Sequence, residues 1–102
     1  MKRTDKTADG TSFHSHTFTA TVDDLRKVLG EPEFESNDGQ DKSNFDWIME
    51  TEDGNVFSVY DWKEYRQLAE DEVIEWHIGG RSRADTEKAL LEIRKALITY
   101  TL

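Results

Sequence analysis

A chain of 102 residues with a formal net charge of −9, 34% charged residues and no cysteine is sized for one domain with a single modest core. The missing thiols exclude disulfides, thiolate nucleophiles and zinc–thiolate sites, which fits a reducing cytosol. The acidic balance argues against direct binding of nucleic acid, whose phosphates are repelled at long range, and no apolar run approaches the length of a membrane span.

Residues 1–10, "MKRTDKTADG", are polar, with no apolar stretch behind the basic pair. They are expected to form a disordered tail and not a secretory signal, with the domain proper over residues 11–102. "SFHSHTFTATV", Ser12 to Val22, is rich in Thr and Phe in rough alternation and predicts a strand. Thr21 then reads as the N-cap of a short helix, with Asp23 and Asp24 in its first turn and Gly30 as its stop. Leu25, Val28 and Leu29 give that helix an apolar face. Pro32 opposes continuation, and "EFESNDGQDKS" reads as a polar loop.

"NFDWIMETEDGNVFSVYDW" predicts a hairpin, because two β-prone runs flank Asp53-Gly54, a preferred pair for a two-residue type I′ turn. That turn sets Met49 opposite Ser58, Trp47 opposite Tyr60 and Phe45 opposite Trp62. Phe45, Trp47, Met49, Val56, Tyr60 and Trp62 then share one face, and Ile48, Phe57 and Val59 share the other with Asp46 and Asp61. "KEYRQLAEDE" is a polar connection and "VIEWHIGG" a further strand. Leu90, Ile93, Leu97 and Tyr100 recur at helical spacing through an amphipathic helix from Arg83 to Ile98. The expected architecture is α+β: a four-stranded, mainly antiparallel sheet in β-α-β-β-β-α order, with the long C-terminal helix packed on it. Two partly apolar sheet faces exceed what one long and one short helix can cover, so a homo-oligomer through a sheet face or edge is expected.

Charge is unevenly spread. Residues 76–102 hold Arg81, Arg83, Lys88, Arg94 and Lys95 against Asp85, Glu87 and Glu92, a net +2 that leaves −11 for the remainder. Between Glu31 and Asp53, Lys42 is the only basic residue. An acidic body thus carries a mildly basic C-terminal element.

Few residues are arranged for catalysis or metal binding. His14 and His16, two apart on a strand, point to one side and with His77 form a possible metal set, but no supporting glutamate spacing accompanies them. They read better as partly exposed strand residues. "ESNDGQD" lacks the ligand order of a calcium loop. There is no Walker loop, nucleophile elbow or Cys–His pair, so neither an enzyme activity, a metal nor a cofactor is expected.

"YDWKEYR" and "WHIGGRSR" are more informative. Aromatic planes and guanidinium forks suit a site that stacks a base and grips its phosphates, while glycines admit close backbone approach ahead of a helix start. The candidate ligand-binding residues are Tyr60, Trp62, Lys63, Arg66, Trp76, His77, Gly79, Gly80, Arg81 and Arg83, with Ser82 as the helix cap and Asp85 at its third position. Two cations at a helix N-terminus oppose the helix dipole, and an anionic ligand would account for them. Alternatively, Trp62 and Trp76 belong to the core and the arginines pair with Asp85, Glu87 or the acidic body.

"VFSVYDWKEYR" followed by "EWHIGGRS" resembles a pattern in small accessory proteins of tailed bacteriophages, over about residues 55–83. The resemblance implies a counter-defence role in the host cytoplasm. In one style, the partner is a nucleotide immune signal that the protein sequesters as a sponge, as in proteins that oppose Thoeris or CBASS systems. In the other, an acidic inhibitor imitates DNA and occupies a host nuclease or another defence protein, through the segment from Glu31 to Asp53.

Overall fold

Two side-chain caps fix where the helices begin. The computed structural model describes residues 1–40 and 42–101; Asp41, within the loop expected after Pro32, and Leu102 lie outside the described residues. The Thr21 hydroxyl accepts from the Asp24 amide at 3.0 Å, and the Asp24 carboxylate accepts from the Thr21 amide at 3.3 Å. This reciprocal box satisfies two amides at the start of α1 (Val22–Leu29), and Gly30 closes the helix at φ 86°. Ser82 opens α2 (Arg83–Thr101): its hydroxyl accepts from the Asp85 amide at 3.1 Å and its carbonyl from the Thr86 amide at 3.2 Å. Both starts and the Gly30 stop lie where the sequence puts them.

The strands are β1 (Lys2–Arg3), β2 (Ser12–Ala20), β3 (Phe34–Glu35), β4 (Phe45–Glu50), β5 (Val56–Tyr60) and β6 (Ile74–Gly80). They form one antiparallel sheet in the order β1-β4-β5-β6-β2, with β3 also paired to β4. The α+β class, the antiparallel sheet and the C-terminal helix are as expected. The strand number is not: among the described residues there are six rather than four.

The four long strands are those read from the sequence, and two short ones are added along β4. Lys2 and Arg3 lie opposite Glu50 and Met49, while Phe34 and Glu35 lie opposite Asp46 and Phe45. Two residues carry no periodicity to read; long-range contacts place them. Arg3 bonds the Glu31 carbonyl and reaches the Glu33 carboxylate at 2.8 Å. The segment expected as a tail therefore contains β1, and the stretch from β1 to β2 is held at two more points. Lys6 Nζ donates to the Gly54 carbonyl at 2.8 Å, and Arg81 donates to the carbonyls of Thr7 and Asp9 at 2.9 and 3.2 Å.

The hairpin register differs from expectation by one residue. Met49 pairs with Phe57, Trp47 with Val59 and Asp46 with Tyr60. Its loop is Glu52-Asp53-Gly54: the Gly54 amide donates to the Thr51 carbonyl at 2.9 Å, and the Thr51 amide to the Asn55 carbonyl at 2.9 Å. Gly54 takes φ 83° while Glu52 and Asp53 stay out of the left-handed region. That is a three-residue loop with the glycine in the bulge position, not a type I′ turn, which needs positive φ at both central residues. Because side chains alternate, a one-residue slip turns a whole strand over. Phe57 and Val59 thereby join Phe45, Trp47 and Met49 on one face, and Tyr60 moves to the other with Asp46 and Ser58.

The first face is the core. Phe18, Ala20, Phe45, Trp47, Met49, Phe57, Val59, Trp76 and Ile78 are buried there against Val22, Leu25 and Leu29 of α1 and Ala89, Leu90 and Ile93 of α2. Both indoles have their N–H satisfied, Trp47 by the Gly30 carbonyl at 2.8 Å and Trp76 by the Ala20 carbonyl at 3.0 Å. Gly80 lets α2 start close to the sheet, since a Cβ there would lie 2.7 Å from Thr86 Cγ2. Tyr100, expected on the apolar stripe, stays exposed and bonds Lys27 through its hydroxyl.

Gly54→Val places a β-branched residue at φ 83°. It is expected to cost about 1–2 kcal/mol or more in denaturant unfolding, with Gly54→Asn tolerated better. Equal midpoints for valine and wild type would contradict the loop assigned here.

Candidate functional site

The face turned away from the helices carries two rows of side chains across four strands. One row is Asp46, Tyr60, His77 and Thr17; the other is Ile48, Ser58, Gly79 and Phe13. His77 lies among aromatic rings: it stacks on Phe13 with centroids 4.4 Å apart, and stands 5.7 Å from Tyr60 and 6.4 Å from Trp62. Trp62, just past the end of β5, is 42% exposed and meets Tyr60 edge-on at 6.1 Å.

Gly79 makes a hollow in this surface. Its φ is not left-handed, so the residue supplies space and not conformational freedom. A Cβ at that position would lie 2.6 Å from Ser58 Oγ and 3.5 Å from Tyr60 Cε1. The resulting cavity, about 270 Å³, is lined by Thr11, Ser12, Ser43, Asp46, Ser58, Tyr60, Trp62 and Gly79. A more open hollow of about 630 Å³ shares Ser43 and Asp46 with it and adds Phe34 and Lys42.

A buried carboxylate holds the walls of the cavity. Asp61, fully buried, accepts from the Asn44 amide at 2.8 Å, the Phe45 amide at 2.9 Å and Asn44 Nδ2 at 3.0 Å. Nearby, the Lys63 amide donates to the Lys42 carbonyl at 2.7 Å. The loop before β4 and the exit of β5 are thus tied together, which brings Lys42 and Lys63 to 5.9 and 5.4 Å from the Trp62 ring.

Asp46 is the opposite case. Its Oδ1 is buried without a hydrogen-bond partner. Burial first, then the negative charges of Asp61 and Glu33, push its carboxyl up to about 7. Burial, helped by Asp46, also raises Tyr60 and keeps its phenol a donor.

The structure divides the residues singled out in the sequence. Tyr60, Trp62 and Gly79 meet at the cavity, with His77 against the Tyr60 and Trp62 rings and Lys63 beside Trp62. Trp76 does not: it is a fully buried core residue on the helix side, as strand alternation beside His77 requires. Gly80 likewise faces α2. Arg66 is paired with Glu72 at 2.6 Å and Glu64 at 3.5 Å. Arg81 bonds the carbonyls of Thr7 and Asp9, and Arg83 bonds the carbonyl of His14 at 3.0 Å. Carbonyl dipoles thus answer the two cations at the helix start. Phe13, Asp46, Ser58 and Lys42 were not anticipated: the register and the long-range pairing of β2 reveal the first three, and the bond from the Lys63 amide to the Lys42 carbonyl reveals the last.

His14 and His16 are separated by an irregularity at Ser15, which has φ 73°. His14 Nε2 meets the Gly80 carbonyl at 3.1 Å, and His16 Nδ1 meets the Thr86 hydroxyl at 2.7 Å. No cluster of three potential metal ligands occurs among the described residues. A groove of about 520 Å³ between Met1, α1 and α2 has its own internal contacts, among them Lys27 with Tyr100. Among the described residues no helix is long and apolar enough to cross a membrane. Comparisons with protein-family models, curated proteins and solved structures give no match for the chain.

The raised Asp46 has a measurable consequence. Between about pH 4 and 7 the folded state holds a proton that the unfolded chain has released, so this residue makes stability fall as pH rises through that window. Asp46→Asn removes the penalty. Thermal and denaturant melts are expected to show the variant about 2–4 kcal/mol more stable than wild type at pH 8 and nearly equal to it at pH 4. A difference independent of pH would contradict the assignment.

Proposed function

We propose that this chain is a non-enzymatic binding protein that holds a planar, nucleotide-like ligand on the open face of its sheet. In this reading it acts as a counter-defence sponge in the host cytoplasm, as the resemblance to phage accessory proteins implies. The observation that supports it is an aromatic cluster of Phe13, His77, Tyr60 and Trp62, of which Tyr60 and Trp62 line a cavity floored by Gly79. Stacking of a base on an aromatic side chain is worth about 1–3 kcal/mol, and a glycine-floored hollow beside the rings gives its edge somewhere to go.

The phosphate contacts are assigned to Lys42 and Lys63, the cations beside Trp62. Arg81 has a different part in this reading. It pins the segment that ends in Thr11 and Ser12, two of the cavity's lining residues. Self-association belongs to the same proposal and would use β2, which ends the sheet on one side.

The acidic-inhibitor alternative has less support. Much of the segment from Glu31 to Asp53 is engaged within the molecule. Arg26 takes Glu31 and Glu35, Arg3 takes Glu33, Lys2 and Lys6 take Glu50, and Lys88 approaches Asp53.

Calorimetry with a panel of cyclic dinucleotides and ADP-ribose-type nucleotides tests the reading. Wild type should bind at least one, and Trp62→Ala should weaken it by roughly tenfold or more while leaving the melting curve unchanged, since the ring is exposed. Sedimentation of the same samples should show a species larger than 11.8 kDa. No binding across the panel would move the argument to the acidic inhibitor, and a monomer at high micromolar concentration would remove the oligomer.

A further inference from the structure

We infer that the cavity takes a ribose whose 2′ and 3′ hydroxyls are both free, so that the ligand is a ribonucleotide recognised through its sugar. The inference rests on the binding reading above and names the part of the ligand that the cavity holds.

Hydroxyl groups dominate the cavity. Of the eight residues that line it, Thr11, Ser12, Ser43, Ser58 and Tyr60 carry one each. Thr11 and Ser12 use theirs partly within the molecule, on the Ala8 carbonyl at 2.7 Å and His14 Nε2 at 3.3 Å. The hydroxyls of Ser43, Ser58 and Tyr60 have no hydrogen-bond partner among the described residues, and they are open to solvent. The buried side-chain oxygens that are both sealed and unpaired are Ser36 Oγ and Asp46 Oδ1, which take no part here. Ser58 Oγ stands over the Gly79 floor, 2.6 Å from where a Cβ would lie, and the edge of the Tyr60 ring is 3.5 Å from the same point. Burial keeps the Tyr60 phenol protonated and able to donate.

Size and chemistry choose between the parts of a nucleotide. A volume of about 270 Å³ lies below the roughly 300–1,000 Å³ of sites that enclose a whole drug-sized ligand, so one ring enters. Tyr60 and Trp62, the rings that line the cavity, stand at 78° to one another and cannot clasp a flat base between parallel faces. A phosphate calls for cations, and Lys42 and Lys63 lie beside Trp62 and outside the cavity lining. A ribose hydroxyl both donates and accepts, as serine and tyrosine hydroxyls do, so the two sets pair in chains whichever way each proton turns. The base edge that turns from Trp62 toward the hollow is then the one that carries the sugar.

Calorimetry with adenosine diphosphate and its 2′-deoxy and 2′,3′-dideoxy analogues tests the inference on wild type, Ser58→Ala and Tyr60→Phe. The ribonucleotide should bind at least about tenfold more tightly than the dideoxy analogue, with the 2′-deoxy analogue in between, because each missing hydroxyl leaves a group of the site unpaired. Either substitution should weaken the ribonucleotide by about threefold or more, leave the dideoxy analogue unchanged and retain a cooperative melt. Equal affinities for the three nucleotides would overturn the inference and leave the binding reading standing. A ribose preference that survives both substitutions would overturn the assignment of the sugar to this cavity. Failure of all three to bind wild type would overturn the inference, and the binding reading would fall with it only if the cyclic dinucleotides of the panel also fail to bind.

Discussion

The open face of this molecule depends on one buried carboxylate. Asp61 is sealed from solvent, yet it is fully occupied, taking the amides of Asn44 and Phe45 and the side chain of Asn44. A buried charge is tolerable when its acceptor sites are filled in this way. The return is positional. Asp61 stands at the exit of β5 and Asn44 at the entry of β4, so the bonds close the open end of the hairpin far from its turn. Asn44 then passes the restraint outward, accepting from the Gly39 amide and donating to the Arg66 carbonyl. Asn37 docks against the backbone of Leu68 in both directions. Two long polar loops are thereby fixed against one another, with Ser43 and Asp46 on one side of the cavity and Trp62 on the other.

Asp46 and Asp61 show how neighbouring carboxylates acquire different tasks. Both leave the same hairpin end, but one points at backbone amides and the other lines the hollow left by Gly79 with one oxygen sealed and unpaired. The satisfied group is structural. The unsatisfied one carries a burial penalty that the fold offsets elsewhere, and such a penalty persists most readily where a ligand or a proton relieves it.

Much of the fold is legible locally. Thr21 and Ser82 announce their helices because an N-cap hydroxyl acts within three residues, and Gly30 ends α1 for an equally local reason. The hairpin was legible as a hairpin but not in its register. Asp53-Gly54 suits both a two-residue turn and the last two positions of a three-residue loop. The choice is made by the burial of Phe57 and Val59 under α1 and α2, which no turn residue encodes. The same limit applies to the site. Tyr60, Trp62, His77 and Gly79 lie close enough in sequence to be grouped, whereas Phe13 reaches His77 through the pairing of β2 with β6. Trp76 and Gly80 were grouped with the site because they share its stretch of sequence, though alternation sends them to the opposite face. The puzzle of Arg81 had its answer in a segment read as a tail, whose carbonyls take its guanidinium donors, and that of Arg83 in the carbonyl of His14 on β2.

Amide hydrogen exchange on wild type and Asp61→Ala most directly tests whether one carboxylate organises this face. The amides of Asn44 and Phe45 should be protected in wild type. In the variant they should exchange fast together with those of residues 37–40 and 63–68, while amides between β2 and β6 stay protected and binding at the open face is lost. Unchanged protection of Asn44 and Phe45 in Asp61→Ala, or a uniform loss across the whole sheet, would contradict the account.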